Sequence, residues 1–272
     1  MVKPFIDNGV IIEYYDINYD GCSFNVDTSS FTNKDDIIVL YCDYFINSNA
    51  NYQKVIKCLS ERSVLIHDVT HTLFSGNFSN YRDDYLVCSM RKWFPVEDVG
   101  LFICRNNFSF YDFKNDLTYL ISKEKAREAK EKYYANPSDF NMKQYEILSN
   151  RAESILDEKY SLNLMSLKNT NYLNAIDLEM YFEIKKRLFN EIKQMLTGYQ
   201  LLSGASEDNC MFTFLLVNLD NRDEIFRNLR NILIRCAVMW DFSDDIIYKD
   251  FVDKSICVDI SENTIMQLRR NR

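Results

Sequence analysis

Short apolar runs separated by polar stretches mark the first hundred residues. The runs are VIIEYYDI (10–17), DIIVLYCDYF (36–45), SVLIHD (63–68), DYLVCS (84–89) and GLFICR (100–105). Runs of this length are typical of strands buried on both faces, as in a mostly parallel sheet with flanking helices. Between the second and third runs, residues 48–62 place apolar side chains near helical spacing, which predicts a β-α-β crossover. The pattern predicts an α/β fold for this half.

Near residue 114 the pattern changes to longer, charged segments. It predicts helices over 114–135 and 139–160, with a break at the Asn-Pro-Ser stretch 136–138. A third helix over 175–196 carries an apolar residue at every fourth position, which we interpret as ordinary core packing. These positions are Ile176, Met180, Ile184, Leu188, Ile192 and Leu196.

The last part of the chain predicts a small α/β unit. Residues 211–219 favour a strand, 221–232 a helix and 233–242 another strand. We therefore expect three parts: a large domain over 1–113, a helical connection over 114–200 and a small C-terminal α/β domain over 201–272.

Composition narrows the class of protein. The 272 residues are 47% hydrophobic, enough for one large core or two modest ones. The net charge is −8 and no stripe of lysine and arginine is present, which argues against nucleic acid as a partner. No run approaches the ~20 apolar residues of a membrane span, so we expect no membrane partner. Eight cysteines are scattered without a CxxC pair, which favours reduced thiols and a cytoplasmic location.

The glycines argue against a phosphate-binding loop of a common type. Only six glycines occur, and no two have the spacing of GxGxxG or GxxxxGK. If the protein binds a phosphate, other residues or another chain must hold it.

The two histidines, His67 and His71, lie in the string HDVTH, which imitates the zinc-binding HExxH pattern. That pattern requires a helix, whereas Val64, Leu65 and Ile66 predict a strand that ends near Asp68. We therefore predict no metal site and favour one satisfied core histidine and one loop histidine.

Asp68 and Lys92 each close a candidate strand, so both are expected at one rim of the sheet, where α/β folds bind ligands. Taken alone, Asp68 could be a helix cap or a loop acid. Lys92, between Arg91 and Trp93, has two interpretations. Its stem could simply lie along apolar surface, or its amine could be a nucleophile for an aldehyde.

The 33 residues DVTHTLFSGNFSNYRDDYLVCSMRKWFPVEDVG, from Asp68 to Gly100, resemble the centre of pyridoxal-phosphate (PLP) dependent aminotransferases of the aspartate-aminotransferase fold (fold type I). The likeness is greatest to DegT/DnrJ-type sugar aminotransferases, in which one strand ends in D-x-x-(Q or H) and a later strand in S-x-x-K. The resemblance implies PLP as cofactor, with Lys92 forming the internal Schiff base and Asp68 paired with the pyridinium nitrogen. It also implies that His71 faces the 3-hydroxyl group and that Ser89 contacts the phosphate.

The resemblance extends more weakly over some 230 residues, and this sequence departs from the family in two places. The family's D-G-G turn is replaced by Asp98, Val99 and Gly100, which puts a β-branched residue where glycine permits unusual backbone angles. The family's early phosphate-binding segment would precede residue 1. We therefore expect an incomplete PLP-transferase large domain followed by long helices and the small C-terminal α/β domain.

Two functions stay open on this resemblance. The first is amino transfer from a small-molecule donor to a keto sugar or similar carbonyl acceptor in polysaccharide biosynthesis, by a homodimer, with activity dependent on the segment that we expect to be missing. The alternative is a non-catalytic, degenerate relative that acts as a partner or scaffold subunit.

Overall fold

The computed structural model describes residues 3–45, 49–74, 84–105, 117–158, 165–202, 213–238 and 251–271. The main helices are α1 (Lys3–Asp7), α2 (Asn49–Cys58), α3 (Thr118–Ala135), α4 (Asp139–Glu158), α5 (Leu167–Ala175), α6 (Leu178–Met195), α7 (Arg222–Asn231) and α8 (Glu262–Arg270). The strands are β1 (Ile17–Tyr19), β2 (Phe24–Val26), β3 (Ile38–Cys42), β4 (Val64–Asp68), β5 (Tyr85–Ser89), β6 (Gly100–Cys104), β7 (Gln200–Leu201), β8 (Thr213–Val217), β9 (Cys236–Ala237) and β10 (Ile256–Asp259).

The first sheet has the order β3-β4-β5-β6 and is mostly parallel. Strands β3, β4 and β5 run parallel, and β6 pairs antiparallel with β5. Helix α2 makes the crossover from β3 to β4, and its Tyr52 and Val55 pack with Val39 and Leu65 of the sheet. The mixed α/β fold predicted from the sequence is therefore confirmed.

Two of the predicted strands differ from the prediction. The run over residues 10–17 contributes only Ile17 to a strand, β1, which pairs with β2. Ile11 and Tyr14 lie outside any strand and are 88% and 77% exposed. Strand β6 forms, but it is an antiparallel edge strand whose Ile103 is 52% exposed, so it is not buried on both faces.

Helices α3 and α4 form as predicted, with Pro137 in the break between them, and pack against each other. Helix α6 begins where Asp177 caps the backbone N–H of Met180. Only the second half of its apolar stripe is core: Leu188, Ile192 and Leu196 are buried, whereas Met180 and Ile184 are 56% and 42% exposed. The prediction that the whole stripe is core packing is therefore wrong. The preceding helix α5 was not predicted.

The second sheet has the order β7-β8-β10-β9, and every pairing in it is antiparallel. Strand β8 is buried at all five positions. The strand predicted over 233–242 is only two residues long, and its positions 239–242 lie outside the described residues. Strand β10 and helix α8 were not predicted from the sequence.

The predicted domain limits at 113 and 200 stay predictions; residue 113 lies outside the described residues, and residue 200 begins β7. Among the described helices, none is both long and apolar enough to cross a bilayer.

Candidate functional site

The carboxyl ends of β4 and β5 bring Asp68 and Ser89 to one rim of the first sheet. In the parallel register Asp68 lies opposite Val87, two residues before Ser89. Thr70 joins the two ends: its backbone N–H donates to Asp68 Oδ1 at 2.8 Å, and its Oγ1 accepts from the backbone N–H of Ser89 at 2.9 Å. Two of the predicted site residues are therefore held together by one threonine, which sequence reasoning did not single out.

Asp68 is 8% exposed, and one of its carboxylate oxygens is available. Oδ1 accepts from Thr70, and no donor among the described residues bonds to Oδ2. Burial and then the charge of Asp68 raise the pKa values of the flanking thiols Cys42 and Cys88, each to about 12. These thiols therefore stay protonated near neutral pH. Oδ2 of Asp68 is the oxygen that the rim can offer to a cationic group of a ligand.

Lys92 ends the 3₁₀ turn Met90–Lys92 that follows β5 directly. The residue is open to solvent, and its ammonium makes no hydrogen bond or ion pair to any side chain in the described part of the chain. The surrounding protein still desolvates the ammonium and lowers the pKa of Lys92, while Glu153 acts in the opposite direction and Arg91 adds to the decrease. A larger fraction of Lys92 is consequently a neutral, nucleophilic amine near neutral pH than for an ordinary lysine.

His71 is held as a neutral ring. The backbone N–H of Phe45 donates to His71 Nδ1 at 3.3 Å, and the two rings lie 4.8 Å apart. Burial and the charge of Lys92 lower the pKa of His71 to about 3. Since Nδ1 accepts a hydrogen bond, the proton of the neutral ring is assigned to Nε2, which makes Nε2–H a donor.

A buried network behind the rim fixes the turn that carries Asp68 and His71. Asp43, 4% exposed, accepts from Thr72 Oγ1 at 2.7 Å and contacts His67 Nε2 at 3.1 Å, and its backbone N–H donates to Asp68 O at 3.0 Å. Sequence reasoning missed Asp43, although an acid that directly follows a buried strand was a usable signal.

The zinc interpretation of HDVTH requires the two histidines to lie on one helix. His67 belongs to strand β4 and its ring is committed to Asp43, so the helical geometry of HExxH is not formed. His67 is the satisfied core histidine and His71 the turn histidine that the sequence favoured. The described residues also contain no group of three metal-binding side chains.

Arg91 places a positive charge beside Ser89. Its Nε donates to Ser89 Oγ at 3.3 Å, and its Nη1 donates to Glu153 Oε1 at 3.1 Å and to the hydroxyl of Tyr119. Lys123 forms a second ion pair with Glu153. Ser89, which is expected to contact a phosphate, therefore has the guanidinium of Arg91 as a neighbour. The spacing of residues in the sequence did not assign a role to Arg91.

The residues after Lys92 are anchored on both sides. Trp93 Nε1 donates to Thr70 O at 2.7 Å, and the hydroxyl of Tyr181 donates to Trp93 O. Further on, Asp98 accepts from the backbone N–H of Ser166 at 2.9 Å. Val99, which replaces a family glycine, takes no positive φ, so the departure causes no backbone strain.

The four predicted residues are thus arranged in two linked pairs. Thr70 joins Asp68 to Ser89, and Lys92 lies within electrostatic reach of His71. Among the described residues, Lys92 and Asp68 form no hydrogen bond or ion pair with each other.

Comparison with solved structures identifies relatives in fold. Escherichia coli GDP-4-keto-6-deoxy-D-mannose-3-dehydratase with bound hydrated PLP matches with a TM-score of 0.54 and 14% identity, over 98% of this chain and 75% of that one. AtS13 from Actinomadura melliaura matches with a TM-score of 0.52 and 14% identity, over 97% and 75%. A mutant of GDP-4-keto-6-deoxymannose-3-dehydratase with bound GDP-perosamine matches with a TM-score of 0.52 and 12% identity, over 99% and 76%.

No protein-family model matches the chain, and no curated protein matches it by sequence. At these identities the structural likeness shows the fold alone. The chain has the fold of enzymes that include PLP-binding, sugar-modifying members, and a close structural neighbour binds PLP.

Proposed function

We propose that this protein is a PLP-dependent enzyme of fold type I, related to the DegT/DnrJ-type sugar aminotransferases. Its reaction is amino transfer from a small-molecule donor to a keto sugar or a similar carbonyl acceptor. The cofactor residues are Lys92, Asp68, His71 and Ser89.

One observation carries the proposal: Asp68 and Ser89 end adjacent parallel strands, and Lys92 follows Ser89 within one turn. The carboxyl edge of a parallel sheet is where α/β folds bind ligands. A carboxylate, a hydroxyl and a lysine at this edge agree with the fold of a neighbour that binds PLP.

The residues present fit the cofactor chemically. Bound PLP supplies an electron sink that stabilises negative charge on a substrate carbon. The available oxygen of Asp68 would accept a hydrogen bond from a protonated ring nitrogen and keep that nitrogen charged. Lys92, with its lowered pKa, would be the nucleophile toward the aldehyde and afterwards the base that moves the substrate proton.

His71 and Ser89 would hold the remaining polar groups. Neutral His71 would donate from Nε2–H to a phenolate oxygen, which a protonated imidazole would instead tend to protonate. Ser89 Oγ accepts from Arg91 and would use its own hydrogen for a phosphate oxygen.

The proposal includes a homodimer in the cytoplasm. The exposed apolar side chains of Met180 and Ile184 on α6 favour burial of that face in an interface. Sedimentation equilibrium at several protein concentrations tests this part, and a monomer at every concentration would contradict it.

The test of the cofactor site is an absorption spectrum of the purified protein with PLP, before and after borohydride. We expect a visible band, and borohydride should fix the pyridoxyl group on the peptide that contains Lys92. Lys92→Ala should abolish both signals, whereas Lys125→Ala, an exposed lysine of α3, should leave both unchanged. Release of 2-oxoglutarate from glutamate then tests amino transfer.

The opposite outcome favours the alternative function. If the protein is folded by circular dichroism but shows no band and no adduct on Lys92, the cofactor proposal fails. The chain is then a non-catalytic relative that acts as a partner or scaffold subunit.

A further inference from the structure

Three cationic side chains meet between helices α3 and α6 and the second sheet. Lys130 comes from α3, Lys185 from α6 and Arg235 from the residue before β9. Asp259, the last residue of β10, is the carboxylate that interacts with all three. The group therefore carries two more positive charges than negative ones.

The single carboxylate is already engaged by other partners. Asp259 Oδ1 accepts from Arg235 Nη1 at 3.1 Å, and Oδ2 accepts from the hydroxyl of Tyr134 at 2.6 Å. Arg235 Nη2 donates to the hydroxyl of Tyr145 at 3.0 Å. Asp259 and the two tyrosines thus orient the guanidinium, and neither lysine has a direct bond to the carboxylate.

The two lysines have little hydrogen bonding among the described residues. The ammonium of Lys130 faces the rings of Tyr134 and Tyr145, at 5.4 and 5.9 Å from their centroids, and makes no hydrogen bond to a described residue. Lys185 donates to the carbonyl of Ile260 at 3.4 Å, and its ammonium faces the ring of Tyr181 at 5.8 Å from the centroid. Burial lowers the pKa values of both lysines, although the charge of Asp259 opposes the decrease.

Desolvated charges without a hydrogen-bonded counter-ion are costly, and proteins usually keep them only for a ligand or a partner charge. The cluster is partly open to solvent, because the side chains of Arg235 and Asp259 are 32% and 15% exposed. It is also within electrostatic reach of Lys92, whose ammonium interacts with Arg235.

We propose that Lys130, Lys185 and Arg235 bind an oxyanion, a carboxylate or a phosphate, on the small molecule that reacts at Lys92. The two lysines supply the charge, and Arg235, fixed by Asp259, supplies directed N–H donors. The statement that this molecule reacts at Lys92 rests on the proposed function. The statement that the cluster binds an anion does not.

Isothermal titration calorimetry without PLP tests the site directly. Inorganic phosphate, pyrophosphate and succinate are titrated at constant ionic strength into the wild type, Lys130→Gln, Lys185→Gln and the surface control Lys125→Gln. We expect at least one anion to bind the wild type and the control equally, and its affinity to fall at least tenfold in the other two variants. Tight binding of phosphate or pyrophosphate identifies a phosphate ligand, and tight binding of succinate identifies a carboxylate.

A second readout is the thermal midpoint without any anion. Lys130→Gln should unfold at a higher temperature than the wild type, because it removes a desolvated charge; Lys185→Gln serves the same purpose if the first variant does not fold. The inference is overturned if no anion binds the wild type, or if both lysine variants bind as the wild type does.

The two proposals fail separately. Anion binding that depends on Lys130, without an adduct on Lys92, would leave the anion site in place and remove the cofactor proposal. An adduct on Lys92 without anion binding would support the cofactor proposal and remove the anion site.

Discussion

The two four-stranded sheets differ in the side chains that they bury. The rim of the first sheet buries four polar side chains, Asp43, His67, Asp68 and Thr72. The second sheet buries a larger apolar cluster, in which β8 is buried at every position, although Thr213 and Ser255 are buried there as well. Each buried polar group at the first rim needs its own hydrogen-bond partner, whereas burial of apolar groups stabilises the fold without a directional requirement. We infer that the second sheet supplies most of the stability and that the polar rim of the first sheet contributes less.

The largest expected effect is on the second sheet. Leu216 lies in β8 and is fully buried at 0% exposure. Leu216→Ala should lower the free energy of unfolding by about 2–5 kcal/mol, through lost burial and the cavity left behind. Urea unfolding followed by circular dichroism measures this. The control is Leu167→Ala, at a position 80% exposed, which should change stability by less than about 0.5 kcal/mol. Equal effects of the two substitutions would break the comparison.

A smaller loss of stability is expected at the first rim. Asp43→Ala removes the oxygen that accepts from Thr72 and contacts His67, so the expected loss is about 1–3 kcal/mol. PLP affinity, measured from the visible band, should fall as well, since the carboxylate of Asp43 holds His67 and Thr72, which are the sequence neighbours of Asp68 and His71.

The control for Asp43 is Glu13→Ala, an exposed acid paired with Lys34. It should cost less than about 1 kcal/mol and leave PLP affinity unchanged. Asp43→Ala with unchanged PLP affinity would mean that the buried network stabilises the sheet without positioning the site.

His71, at the rim of the first sheet, should make the free energy of unfolding depend on pH. Its folded pKa of about 3 lies below the value of 6.5 for a free histidine, so the unfolded chain binds more protons between these values. Stability is therefore lost as the pH falls from about 6.5 toward about 3. Between pH 7.5 and 5.5 the loss should be about 1 kcal/mol.

His71→Asn provides the control, because asparagine can accept from Phe45 but does not titrate. Urea unfolding at pH 7.5 and 5.5 should show a smaller decrease for this variant than for the wild type. An identical decrease in both proteins would assign the pH dependence to other groups.

The sequence predicted the parts of the fold that depend on local pattern. Runs such as 63–68 and 84–89 became β4 and β5 within a residue, since buried parallel strands are continuous apolar runs. The run over 10–17 was wrong because an apolar run does not reveal whether partner strands are available. Burial of the stripe along α6 begins only between Ile184 and Leu188, because the first half of the helix packs through Tyr181 and Phe182 instead. No spacing rule encodes that change.

The candidate site could be predicted only in part. Asp68, His71, Ser89 and Lys92 could be proposed because they lie in one continuous segment whose motif resembles a family, and their roles stay predictions. Asp43 was missed because it comes from another strand and meets His67 only in three dimensions. The cluster of Lys130, Lys185, Arg235 and Asp259 was missed for the same reason, since it joins four elements that are distant in sequence.

The smallest expected effect concerns Gly100, at the start of β6 opposite Ser89. Its φ is not positive, and an added Cβ would meet only the carbonyl oxygen of Cys88, at an ordinary 3.7 Å. Gly100→Ala should therefore raise the free energy of unfolding by about 0.5 kcal/mol, because alanine restricts the unfolded chain. Gly21→Ala should destabilise instead, since Gly21 has a φ of +90°. If the rim acts through the side chains of Asp68, Ser89 and Lys92, the PLP band of Gly100→Ala should equal that of the wild type. A weakened band would show that the backbone beside Ser89 must approach the ligand closely, and the first rim would then depend on glycine as well as on its polar side chains.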